Sequence, residues 1–173
     1  MKKIVALAAI TALTGSAFQL HSAPAEIYLV RHAEKVKSAD KDPHLSACGL
    51  AQAQAMAALI PVALTRIYHS GYQRTQQTAE QIQTTQPTAS LKAYNARDLT
   101  ALAKDIHQQN SPLLVVGHSN TTPELIHLLS QLTAPKMSEQ DYGVVYQLKQ
   151  SAQGYQLLSF TISQPGICPT AAI

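Results

Sequence analysis

The chain has no tryptophan and only two phenylalanines, and its seven tyrosines are scattered rather than paired. That leaves no set of aromatic platforms on which a single-stranded nucleic acid would stack. Basic residues are equally unclustered: Lys2 and Lys3 supply much of the formal net charge of +3, and no Lys/Arg run elsewhere resembles a nucleic-acid footprint. Cysteine is scarce. Cys48 and Cys168 stand too far apart for a zinc knuckle, and His21, His44, His107 and His127 show no ligand spacing. His69 reads as a structural or ligand-side histidine rather than a metal ligand. No apolar run reaches the ~20 residues of a membrane span, and no repeat or low-complexity block interrupts the chain. The expectation is one folded domain with no metal or other cofactor, no nucleic-acid partner and no stable membrane insertion once a leader is removed. Oligomeric state is left open.

The leader is the first positive feature. Lys2 and Lys3 precede an apolar, Ala-rich run from Ile4 to Leu13, followed by Gly15, Ser16 and small residues, the layout of a secretory signal peptide. Gly15-Ser16-Ala17 and Ala23-Pro24-Ala25 both offer a cleavage site, and the second is favoured; a retained anchor is the alternative. Taking residues 1–25 as the leader leaves residues 26–173, about 150 residues, enough for one core and too few for two. Export to the periplasm or beyond would place Cys48 and Cys168 where a disulfide can form. Two unpaired thiols remain the other possibility at this point.

Strand-like and helix-like stretches alternate through most of the remainder, which predicts a parallel sheet covered by helices on both faces. Ile27 to Val30 make a first strand. A helix opens at Ser46 or Ala47 and keeps its period through Leu50, Ala53, Ala57 and Ile60 until Pro61. Arg66 to His69, Leu91 to Tyr94 and Leu113 to Val116 supply further strands. Tyr72 to Gln83, Leu99 to Gln109, and Thr122 or Pro123 to Gln131 supply the intervening helices. Val144 to Lys149 and Tyr155 to Ile162 flank a polar turn and read as an antiparallel hairpin at one edge. The fold class is therefore α/β, a three-layer α/β/α sandwich with a mostly parallel sheet and an antiparallel C-terminal hairpin.

Three polar clusters fall where these strands end: Arg31-His32, His69-Ser70 with Arg74 in the next helix, and Gly117-His118-Ser119-Asn120. Parallel strands in one sheet converge at their carboxyl ends, so two arginines and two histidines would meet in one crevice. Two guanidinium forks can neutralise a transferring phosphoryl group without a metal ion. One imidazole can attack phosphorus and become a phosphohistidine, while a second, protonated, stabilises the developing charge. His32 suits the first role and His118 the second. Gly117-His118-Ser119-Asn120 is not a nucleophile elbow, because the closing glycine is missing.

These motifs resemble the histidine phosphatase superfamily, which includes the phosphoglycerate mutases and the compact phosphohistidine phosphatases. Arg31-His32-Ala33 stands for its Arg-His-Gly signature. Ser70 through Arg74 to Thr78-Ala79 matches its second element, and Gly117-His118 its third. Leu45 to Ala53 is similar to its first-helix opening. The resemblance spans Ile27 to Leu129 and implies a phosphate pocket of Arg31, His32, Arg74 and His118, with His32 phosphorylated. Ser70, Ser119 and Asn120 are expected to contact substrate. Two departures stand out: Ala33 replaces the glycine, and the insertion that carries a glutamate proton donor in the mutase-like members is missing. Asp98 is the nearest substitute acid, with Glu124 and Glu34 behind it. The expected activity is metal-independent hydrolysis of a phosphomonoester or phosphoramidate in an open pocket. The alternatives are a catalytically weak phosphate-binding protein of the cell envelope and a phosphatase of lipopolysaccharide core phosphates.

Overall fold

The computed structural model describes residues 23–163 and 167–168. Most of the expected leader, residues 1–22, lies outside the described residues. Pro24 and Ala25 are already part of the fold: their carbonyls accept the Tyr155 hydroxyl at 2.7 Å and the Gln150 amide at 2.8 Å. The elements that follow are β1 (Glu26–Arg31), α1 (Ala47–Ala57), β2 (Arg66–His69), α2 (Gln73–Gln83) and β3 (Ser90–Ala93). After them come α3 (Leu99–His107), β4 (Leu113–Gly117), α4 (Thr121–Ser130), β5 (Val144–Ser151) and β6 (Gly154–Thr161).

The sheet runs β3-β2-β4-β1-β5-β6. β1, β2, β3 and β4 are mutually parallel, and β5 and β6 join antiparallel at the β1 edge. The expected sandwich with its terminal hairpin is what forms. The apolar runs of β1 and β4 are continuous because both faces of the sheet are covered. Tyr28, Val30, Leu114 and Val116 pack toward α1 and α2, whereas Ile27, Leu29, Leu113 and Val115 pack toward α3 and α4. Helix α2 is polar overall, yet Thr75, Thr78, Ala79 and Ile82 recur at helical spacing and give it one buried stripe.

Several element ends differ from the sequence expectation for local reasons. Helix α1 stops at Ala57, because Leu59 and Ile60 tighten onto the carbonyls three residues back and Pro61 disfavours a helical residue before it. Helix α4 stops at Ser130, since Gln131 takes a left-handed conformation at φ 61°. β1 runs one residue further than its apolar run, because Arg31 pairs with Gly117 on β4.

The connection from β1 to α1 is tied from several sides. The Glu34 carbonyl accepts the Ser46 amide at 2.9 Å, the Glu34 amide reaches Gln52 Oε1 at 2.9 Å, and Ser46 Oγ caps α1 by accepting from the Gly49 amide. Cys48 and Cys168 form a disulfide that ties the C-terminal segment to α1, and Gln52 Nε2 lies 3.4 Å from both sulfurs. Gly49 is required for this approach: a Cβ there would stand 1.9 Å from the Glu34 carbonyl oxygen. Gly49→Ala is expected to destabilise the protein by about 1–3 kcal/mol, as overpacking against fixed backbone does. Urea unfolding measures it; an unchanged midpoint would show that the α1 contact is not as rigid as described.

Candidate active site

The segments that follow β1, β2, β3 and β4 and the loop leading into β5 meet above the carboxyl edge of the parallel strands. The β1–β4 ladder carries on past Arg31, where the His32 amide donates to the Gly117 carbonyl at 2.9 Å, so His32 and His118 follow paired strand ends. Their rings meet edge to face with centroids 5.4 Å apart. The next amide, Ala33, donates to Thr78 Oγ1, whose hydroxyl in turn donates to the Arg74 carbonyl at 2.7 Å. One residue thus couples the first strand to the helix that carries Arg74. Ala33 is fully buried, and among the described residues only Gln131 is a non-glycine at positive φ, so alanine replaces the expected glycine without strain.

His32 lies 3% exposed on the floor of a cavity of ≈ 320 Å³. Its Nδ1 is 2.8 Å from the Ala33 carbonyl, which can only accept, so the proton sits on Nδ1 and Nε2 keeps its lone pair. Burial pushes the His32 pKa down to about 3, and the positive charge of Arg31 adds to the effect. His118 is pushed down to about 4, first by burial and then by Arg74 and Arg31. Its Nε2 hydrogen-bonds Ser70 Oγ at 2.8 Å, and Ser70 Oγ also pairs with Thr75 Oγ1 at 3.0 Å. Both imidazoles are neutral in the unliganded pocket. An incoming dianion is the group that favours the charged form of His118.

The two arginines are held differently. Arg31 is 1% exposed and lies beneath the 138–142 loop: its Nη1 donates to the Ser138 carbonyl at 2.8 Å, and its Nη2 meets Glu139 Oε2 at 3.0 Å. The Tyr142 ring stacks 4.4 Å from its Cζ. Arg74 lines the cavity, with Nη1 3.5 Å from Asp42 Oδ1 and the Tyr72 ring 4.5 Å from Cζ. The Nε of each arginine is buried without a hydrogen-bond partner. Arg74 lines the cavity and Arg31 lies just beneath it, and guanidinium N–H groups without partners are donors suited to an anion.

The other expected site residues divide. Ser119 and Asn120 line the cavity. Ser70 instead orients His118 from the neighbouring cleft. Asp98 is corrected: it is exposed, its Oδ1 accepts the Ala101 amide at 3.0 Å as the cap of α3, and it borders a separate cleft with Tyr68 and Lys92. An aspartate one residue before a helix satisfies an orphan amide, and that local demand sets its position here. Glu34 accepts from Ser46 Oγ at 2.8 Å, and Glu124 is exposed on the first turn of α4.

The carboxylate that does line the cavity is Glu139, which the sequence reading missed. It lies in a polar, aperiodic stretch with no motif. The one available signal was topological: an antiparallel β5 beside β1 must start where β1 ends, and Val145 indeed faces Val30. The loop leading into β5 therefore had to pass the crevice. Lys35, Tyr72 and Arg97 complete the rim, and the cavity adjoins clefts of ≈ 480 and ≈ 1130 Å³ on either side. Among the described residues no group of three His, Cys, Asp or Glu side chains is placed to hold a metal ion, and no helix is long and apolar enough to cross a membrane.

The doubly covered sheet places the Arg31-His32 and Gly117-His118 strand ends side by side. The family model of the histidine phosphatase superfamily (branch 1) matches residues 27–98. That match contains Arg31, His32 and Arg74 and ends before His118, which the fold brings alongside. Similar solved structures include the protein histidine phosphatase SixA in complex with tungstate, 14% identical, covering 83% of this chain and 99% of that one with a TM-score of 0.62. The α-ribazole phosphatase of Shigella flexneri is 17% identical over 80% and 96%, TM-score 0.58. A mycobacterial glucosyl-3-phosphoglycerate phosphatase is 12% identical over 79% and 97%, TM-score 0.60. At these identities the likeness concerns the fold. No curated protein matches the sequence.

The depressed imidazole pKa values link to stability. The unfolded chain takes up protons below about 6.5 while buried His32 and His118 do not, so stability is full above that pH and is lost as pH falls toward 4. Urea unfolding at pH 7 and at pH 4.5 should differ, and His32→Asn should flatten the difference. An unchanged pH slope in that variant would refute the burial argument.

Proposed function

We propose that the chain is a phosphatase that hydrolyses a phosphomonoester, or a phosphoramidate, through a covalent phosphohistidine at His32. The observation that carries this reading is the His32 Nδ1–H fixed on the Ala33 carbonyl, which leaves Nε2 free beside two arginines with unpaired Nε groups. The Nε2 lone pair attacks phosphorus in line. Arg31 and Arg74 balance the equatorial oxygens, and His118, charged once the dianion is seated, donates to one of them. Water then attacks the phosphohistidine and the imidazole leaves. Guanidinium groups supply the positive charge in this scheme, so turnover should persist in EDTA.

Location outside the cytoplasm is proposed from the leader-like N-terminus and the Cys48–Cys168 pair, which suits an oxidising compartment. Open clefts on both sides of the pocket suit a bulky phosphorylated substrate, lipopolysaccharide core sugars among them.

His32→Ala should remove acid-labile, base-stable phosphate from the quenched enzyme and lower kcat by ~10³-fold or more. Arg74→Ala should lower kcat/KM by ~10²–10³-fold, since it removes a donor to the transition-state charge. Full turnover by His32→Ala would end the covalent mechanism. Binding of inorganic phosphate with no hydrolysis of any ester would favour a binding protein instead. Asp98→Ala should cost about 1 kcal/mol of stability as a lost helix cap and leave turnover unaltered; activity assays beside urea unfolding decide it.

A further inference from the structure

An alkoxide is a poor leaving group, so hydrolysis of an alkyl phosphate needs a proton delivered to the departing oxygen. Asp98, Glu34 and Glu124 are engaged elsewhere, as described above. Glu139 is the one carboxylate among the described residues that line the cavity. Its side chain is 69% exposed at the mouth, whereas His32 is 3% exposed on the floor. In-line displacement places the leaving oxygen on the far side of phosphorus from the attacking Nε2, which is the mouth. Resting on the phosphatase reading, we propose that Glu139 is the proton donor to the leaving-group oxygen and the base for the attacking water.

The carboxylate is held ready at two points. Oε1 accepts from Ser119 Oγ at 2.5 Å and Oε2 meets Arg31 Nη2 at 3.0 Å. The groups facing it are Ser119 from the turn before α4, His118 from the end of β4, Arg31 from β1, Lys35 from the loop after β1 and Arg74 from α2. In the unliganded pocket Ser119 and the three cations hold its carboxyl below the usual range, the Ser119 hydroxyl contributing most and Arg31 next. A phosphate dianion on Arg31 and Arg74 offsets the positive charge that keeps the carboxylate ionised, so substrate binding raises its proton affinity.

The steps balance. The His32 Nε2 lone pair forms the N–P bond while the P–O bond to the leaving group breaks, its electron pair going to that oxygen along with the Glu139 proton. In the second half, a water oxygen bonds to phosphorus and the N–P pair returns to Nε2. The water proton passes to the Glu139 carboxylate, which restores the carboxyl that formed by uptake of a solvent proton when the dianion bound.

The test is kcat/KM of Glu139→Gln for two substrates, 4-nitrophenyl phosphate and benzyl phosphate, since this parameter reports the phosphorylation half-reaction. The expected result is a loss of ~10²-fold or more on benzyl phosphate, the ester that needs a proton, against threefold or less on the nitrophenyl ester. The basic limb of the benzyl phosphate pH profile should vanish too. Ser119→Ala, which keeps the carboxyl and frees its tether, should show the same selectivity in weaker form. Equal losses on both substrates would reduce Glu139 to a positioning residue for Arg31 and overturn the assignment. A gain on both would make it a plug on the anion site and overturn it as well. Phosphohistidine formed by the unmodified enzyme from 4-nitrophenyl phosphate separates the two levels. If it forms and the variant is unselective, only the Glu139 assignment fails; if it never forms, the phosphatase reading fails with it.

Discussion

The hydrogen bond from the His32 amide to the Gly117 carbonyl continues the parallel β1–β4 pairing past Arg31, and the site depends on it. It sets Arg31 beside Gly117 and lets His32 and His118 leave the sheet together, with ring centroids 5.4 Å apart. Parallel pairing of this kind is stable only when both faces are covered. The two apolar layers against α1/α2 and α3/α4 are thus as much a part of the site as the residues that line it.

From that ladder, constraint spreads outward through single backbone groups. Ala33 reaches Thr78 and, through it, the helix of Arg74, while Glu34 is gripped by Ser46 and Gln52. Gln52 in turn touches both sulfurs of the disulfide, so the cross-link to the C-terminal segment braces the loop that follows the nucleophile candidate. The same enclosure sets the electrostatics. Burial keeps both imidazoles neutral beside two arginines, whose charge is faced by negative charge on nearby carboxylates. In the unliganded state Glu139 supplies part of that negative charge.

Much of this was legible in the chain because it is local or periodic. Arg31-His32, Arg74 and Gly117-His118 each follow an apolar run that can only be a covered strand, or open the helix after one, so their convergence followed from the α/β alternation. The hairpin of β5 and β6 was marked by its polar turn. What stayed hidden arises from contacts between distant segments. Asp98 and Glu139 are both carboxylates in polar loops; one is drawn away to cap α3, and the other is drawn in by Arg31 and Ser119. Ser70 looked like a substrate contact and became the orienting partner of His118, because that ring lies within 2.8 Å of it.

The sequence by itself determined the layering, the order of the strands' polar ends and the identity of the two arginines and two histidines, since these depend on hydrophobic period and on motifs a few residues long. Only the tertiary structure decided which carboxylate faces the pocket, which ring nitrogen of His32 is free and how Arg31 is sheathed. The carboxylate and the sheathing of Arg31 are matters of ångström-scale distance between the 138–142 loop and β1, more than a hundred residues apart along the chain, whereas the His32 ring is set by the backbone turn at Ala33. No local pattern encodes a contact of that separation; it exists only because β5 pairs antiparallel with β1 and starts where β1 ends.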